Sequence, residues 1–150
     1  MSVRNNIIKA LVTAVTVLRN SDDYEGVLRS DPTPYFTNYL NTPSHETPLL
    51  MVADLGNETV LVRDSSYTRY AFDVQFRSFV AGESWADTQA KLNDIIGSMK
   101  KLIAKGPDLG TAVLAFQFVQ GLGSAYDGDK EYGETDLLTR IIYVVENGEE

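Results

Sequence analysis

Between residues 67 and 80, apolar and polar side chains alternate. Tyr70, Phe72, Val74, Phe76 and Val80 fall on one side, and Arg69, Asp73, Gln75 and Arg77 on the other. Successive side chains of a strand point to opposite faces, so this segment reads as one long strand with a buried and a polar face. Nearer the N-terminus the period changes. Val3, Ile7, Ile8, Leu11, Val15 and Leu18 recur at steps of three and four, which predicts a helix over about 3–19 with Ser2 as N-cap. Asn20-Ser21-Asp22-Asp23 supplies its stop. The β-branched run at 12–17 pulls toward strand, but length and period outweigh it. A second helical stripe, Trp85, Leu92, Ile95, Ile96, Met99, Leu102 and Ile103, starts after Ser84 and ends at Gly106-Pro107. Ser84 suits an N-cap, Asp87 the first turn, and Lys100, Lys101 and Lys105 the negative end of the helix dipole. Trp85, in the first turn, is expected in the core rather than as a ligand platform.

Two short apolar runs, 49–54 and 59–63, flank Leu55-Gly56-Asn57-Glu58, and the Gly-Asn pair predicts a hairpin between them. Two more strands are expected at 111–120 and 135–146, joined by a Gly- and acid-rich loop over 121–134. The order is helix, hairpin, strand, helix, strand, strand. It predicts an α+β fold: a single, mostly antiparallel sheet of about five strands with two helices packed on one face. The strand before the second helix is expected to run parallel to the strand after it, through a right-handed crossover. Residues 1–150 are expected to form one domain, in keeping with their number.

The stretch at about 20–48 interrupts this regularity. Pro32, Pro34, Pro43 and Pro48 alternate with Tyr24, Tyr35, Phe36 and Tyr39. A connection this long is unusual where most loops run about 4–6 residues, and its aromatics set it apart from a disordered linker. Two readings stay open: a loop folded over its own core, or an arm that contacts another subunit.

Composition narrows the chemistry. There is no cysteine, which removes disulfides, thiolate metal sites and Cys nucleophiles together. Thirteen Lys and Arg against twenty-one Asp and Glu give a net charge of −8, a surface that repels nucleic acid yet suits a channel through which DNA slides. No apolar run reaches the ~20 residues of a membrane span, so a soluble protein of the producing cell's cytoplasm is expected. His45 is the single histidine, in a loop-like context, and no Gly-x-Ser-x-Gly accompanies it. Asp127-Gly128-Asp129-Lys130-Glu131 begins like a calcium loop, but Tyr132 stands where such a loop needs Gly and Leu138 where it needs a carboxylate. Gly121-Leu122-Gly123 lacks the third glycine of a dinucleotide fingerprint. No catalytic, metal or cofactor residues are therefore assigned, and a non-enzymatic role is expected. Arg69 and Arg77 share a strand face, placed either for cross-strand ion pairs in their own sheet or for acids of a neighbouring chain.

The block Tyr70-Ala-Phe-Asp-Val-Gln-Phe-Arg-Ser-Phe-Val80 passes through Ala81-Gly-Glu-Ser into Trp85-Ala-Asp-Thr-Gln-Ala-Lys-Leu92, with closing strands at 112–116 and 137–145. Together with the N-terminal helix and the long connection, this order resembles the tail terminator proteins of long-tailed bacteriophages. The resemblance implies a small α+β virion protein that caps the head-proximal end of the tail tube as a ring, a homohexamer. It implies itself, the tail tube protein and a neck or connector protein as partners, and DNA passing through the lumen without specific binding. No cofactor and no membrane are implied, and the location would be the neck end of the virion tail, with host cytoplasm during assembly. Under this reading Tyr35, Phe36, Tyr39, Arg69 and Arg77 are candidate subunit contacts. Asp127, Asp129, Glu131 and Glu134 are candidates for an acidic loop facing the lumen, where negative charge would keep DNA from sticking. The alternatives are another head–tail connector or head-completion protein and, in a different class, a small ligand-binding α+β domain.

Overall fold

The computed structural model describes residues 2–20, 24, 28, 32, 48–126 and 132–148. In chain order these form α1 (Val3–Val15), α2 (Val17–Asn20), β1 (Leu49–Asp54), β2 (Thr59–Arg63), β3 (Tyr67–Ala81), α3 (Trp85–Lys105), β4 (Val113–Tyr126) and β5 (Tyr132–Glu146). The alternation at 67–80 becomes β3, and the whole of β3 pairs antiparallel with β5, from Tyr67↔Glu146 to Ala81↔Tyr132, without a register shift. On the far side of β5 lies β4, also antiparallel, with three shifts in its register. The strands at 113–126 and 132–146 reach well into the segment expected to be loop. Glu134 accordingly stands in the ladder of β5, opposite Phe79 and Ala125. The architecture is α+β, a five-stranded antiparallel sheet with the two long helices on one face. β3 and β4 run in the same direction, as expected, with β5 between them.

The hairpin expected at 49–63 does not form. β1 pairs with the second half of β3, Leu49↔Phe79 to Asp54↔Val74, and β2 with its first part, Thr59↔Ala71 to Arg63↔Thr68. The two short strands are thus consecutive pieces of one broken edge strand. Gly56 takes φ 79, and its N–H donates to Asp54 Oδ1 at 2.9 Å, which bends the chain locally. The side chain of Asn57 then holds the bend against β3: its Nδ2 donates to Asp73 Oδ2 (2.8 Å), and its Oδ1 accepts from the Asp73 N–H (3.0 Å). Those bonds stand in for the missing ladder, so the chain continues along β3 instead of turning back on itself.

One core cluster joins α1 (Ile7, Leu11, Val15), α3 (Leu92, Ile95, Met99, Leu102), the even positions of β3 (Tyr70, Phe72, Val74, Phe76, Val80) and Leu137, Ile141, Tyr143 and Val145 of β5. Each such side chain buried contributes about 1.5–3 kcal/mol. Tyr24 and Leu28 belong to the same cluster, and the Leu28 N–H donates to Leu18 O (3.1 Å). Tyr24 and Leu28, from the start of the long connection, are thus part of the chain's own core. On the opposite face Leu49, Met51 and Phe79 are buried outside that cluster.

The helix ends follow the sequence. Ser84 Oγ accepts from the Asp87 N–H (3.1 Å), and Gly106 caps α3 at φ 68. Ser2 Oγ caps α1 through the Asn5 N–H (3.1 Å). The expected helix at 3–19 breaks at Thr16 into α1 and α2, where the β-branched run sits. Thr13 Oγ1 donates to Lys9 O and Thr16 Oγ1 to Thr13 O, bonds that compete with the helical ladder. Trp85 corrects the core expectation: it is 58% exposed. The buried stripe begins a turn later, at Thr88, where α3 packs tightly against β5. A Cβ on Gly133 would lie 2.7 Å from Thr88 Cγ2 and 2.8 Å from Leu92 Cδ1, so only glycine allows that approach.

Candidate assembly surface

The polar face of the sheet neutralises most of its own charge. Arg77 Nε donates to Asp136 Oδ1 (2.8 Å), directly opposite in the β3–β5 ladder, with Glu134 Oε1 at 3.9 Å. Those hydrogen bonds, and the two carboxylates behind them, hold the Arg77 guanidinium above its ordinary value against the cost of burial. Arg140 Nε donates to Asp73 Oδ1 (3.1 Å) in the same way. Arg77, a candidate subunit contact, and Glu134, a candidate for the lumen loop, are half-buried beside each other in one sheet. Arg69 differs. It is exposed on the same face, and its charge is felt by Asp64, whose carboxylate is lowered chiefly by backbone N–H bonds from Tyr67 and Ser66. Tyr35, Phe36, Tyr39, Asp127, Asp129 and Glu131 lie outside the described residues.

A cluster that the sequence did not announce ties α1 to the broken edge. Arg4 forms a bidentate pair with Asp54, Nε donating to Oδ2 at 2.9 Å, and also donates from Nη1 to Glu58 Oε2 (3.1 Å). Tyr143 Oη donates to the same Glu58 oxygen (2.8 Å), and the guanidinium stacks 4.3 Å from the Phe72 ring centroid. Burial pushes the Asp54 carboxyl up, but the bonds from Arg4 and the Gly56 N–H outweigh it and leave the group below its usual value. Five residues, from Arg4 to Tyr143, meet here because β1 and β2 run along β3.

Among the described residues, exposed large apolar side chains gather on the two edge strands of the sheet, with Leu55, Tyr67 and Trp85 exposed beyond them. Every residue of β2 is exposed, and Val60, Leu61 and Val62 each show about half their surface. At the other edge Leu114 and Val119 of β4 are equally open. Native sheets guard free edges with Lys, Pro or charge. β2 has none in its centre, and the fourteen residues of β4 include no charged residue and no proline. The signal was present in the sequence as Val60-Leu-Val62, but it reads equally well as a core strand.

A groove of about 820 Å³ separates α1 from the end of α3, lined among others by Lys9, Thr13, Val17, Tyr24, Leu102 and Lys105. Lys101 and Lys105 stack their ammonium groups over the Tyr24 ring at 5.0 and 5.6 Å. Among the described residues no group of three or more His, Cys, Asp or Glu is placed to hold a metal, and no helix is long and apolar enough to cross a membrane.

These features define a class: a sheet with two helices on one face, whose notable surfaces are two edge strands rich in exposed apolar residues. No family model and no curated relative matches the sequence. Its fold does match solved structures, 31 chains in all. One is a chain in the virion of a native gene transfer agent particle, with TM-score 0.59 at 10% identity, covering 88% of this chain and 92% of that one. At that identity the likeness is one of fold.

Proposed function

We propose that this chain is a structural virion protein of a phage-like particle, and within that class a tail terminator. It caps the head-proximal end of the tail tube as a hexameric ring and joins the tube to the neck connector. The observation that carries the reading is the shared fold with a virion chain over nearly the full length of both. The order of elements that resembles the terminator family, the net charge of −8 and the exposed apolar residues of the sheet edges support it. A neighbouring neck or head-completion protein shares the physics and differs in position on the particle. In the ring, the lumen wall is net acidic and passes DNA without holding it.

Light scattering after size exclusion, over a range of concentrations and with negative-stain images of the largest species, tests this. The expected species is an open ring of six times the 16.6 kDa chain mass that binds one end of purified tail tubes. A chain that stays monomeric and fails to bind tubes would sink the terminator reading. If a small molecule then raised its melting temperature by filling the α1–α3 groove, the ligand-binding alternative would replace it.

A further inference from the structure

A free sheet edge is a row of unsatisfied N–H and C=O groups, and among the described residues this sheet has two, at β1–β2 and at β4. In most monomers such an edge is kept short, charged, bulged or interrupted by proline, because otherwise another strand adds to it; of these guards the two edges here carry bulges, at 60–62 of β2 and at three places in β4. Here the centre of β2 is Val60-Leu61-Val62, exposed on both faces, and β4 carries no charged residue along its length.

The two edges also match each other. β1, β2 and β5 run opposite to β3 and β4, so β2 of one copy set beside β4 of another in the same orientation gives an antiparallel pair, and the alternation continues unbroken. They stand at the same height. β2 lies opposite residues 68–71 of β3, those lie opposite 142–145 of β5, and these in turn meet Val113 and Ala115 of β4 and the carbonyl of Ala112. Leu61, between the partners of Arg69 and Tyr70, therefore lies within about one residue of the level of Leu114. In that arrangement the C-terminal end of β2, with exposed Arg63 and neighbouring Arg69, approaches the start of β4, just after exposed Asp108. Arg63 and Arg69, partly offset by Asp64, then meet Asp108 of the other edge. Pairing either edge with its own copy would leave the second edge open; pairing the two unlike edges covers both.

We infer that copies of this chain join head to tail through their sheets, with β2 of one copy adding antiparallel to the first part of β4 of the next. The choice of a second copy as occupant rests on the ring reading above; the open edges do not. Such a contact is heterologous, so its geometry closes a ring or grows without limit according to the rotation between copies.

The absence of cysteine makes the test clean. The full chain carrying both Leu61→Cys and Leu114→Cys is treated with a short bismaleimide, beside each single variant and with wild-type mass measured at the same concentration. Both sites are exposed, so the fold tolerates them, and far-UV circular dichroism checks it. A ladder of multiples of 16.6 kDa from the double variant, with neither single variant cross-linking, is the expected result. Dimers from Leu61→Cys alone would mean β2 pairs with β2 and overturn the proposal. A six-copy mass without a ladder would overturn edge pairing while leaving the ring reading intact. A monomeric mass without a ladder would overturn both. A ladder that closes at another number would support the edges and remove the hexamer. In a second arm, Leu61→Lys and Leu114→Lys each abolish assembly alone and form a 1:1 dimer when mixed, since each keeps one good edge.

Discussion

The middle of the sheet and its margins are built differently. β3 and β5 pair residue for residue over the length of β3, buried beneath two helices on one side and tied by Arg77–Asp136 and Arg140–Asp73 on the other. Both margins are irregular: one edge strand is broken in two, and the register of β4 slips three times. A bulge adds twist and releases strain where pairing is one-sided. The centre thus supplies stability, and the margins are free to take the shape that a contact demands.

That division can be broken by mutation, and the largest effect belongs at the centre. Phe72 is fully buried, meets Tyr143 edge to face at 5.6 Å and carries the Arg4 guanidinium. Phe72→Ala should cost about 3–5 kcal/mol in urea unfolding; a loss below 1 kcal/mol would mean the centre is not what holds the fold. Gly133→Ala should cost about 1–3 kcal/mol, because the new methyl meets Thr88 and Leu92 and pushes α3 off β5. Arg4→Ala tests the join between centre and margin, at about 1–2 kcal/mol near pH 7. Its pH dependence has a definite sign. The Asp54 carboxyl is depressed in the fold, so its contribution is full above the ordinary carboxylate value of about 4 and is lost as pH falls through the folded value. The gap between wild type and Arg4→Ala should therefore narrow below about pH 4, and a gap that widened there would refute the assignment. Smallest is Asn57→Ala. It removes two bonds that fasten the bend to Asp73, for about 1 kcal/mol, with faster amide exchange confined to residues near 55–60 as the marker.

What the sequence disclosed follows the same division. The long strand, α3 with both caps, and the apolar face of α1 were all legible, because period and capping chemistry are local properties. The broken edge was not. Gly56-Asn57 carries a hairpin signal, and only the side-chain bonds from Asn57 to Asp73, sixteen residues on, turn it into a bend. The Arg4 cluster depends on that same misread pairing and so stayed hidden. For the candidate contacts, sequence placed Arg69 and Arg77 on one face but could not distinguish them; the acid opposite decides, and Asp136 faces Arg77 alone. Glu134 was read as loop because glycines surround it, yet β-ladder bonds from both neighbours carry the strand through that region.

The exposed position of Trp85 gives the protein an optical address. It is the single tryptophan, held at the first turn of α3 with 58% of its surface exposed, so its indole already meets water in the folded chain. Thermal or urea unfolding would shift its emission less than that of a buried indole. The tyrosines stacked in the core, Tyr70 against Tyr143 at 5.5 Å, are the ones that register folding in the near-ultraviolet. A blue shift from Trp85 would instead mark a neighbour arriving at that end of the helix. Folding and encounter thus fall on two separate chromophores.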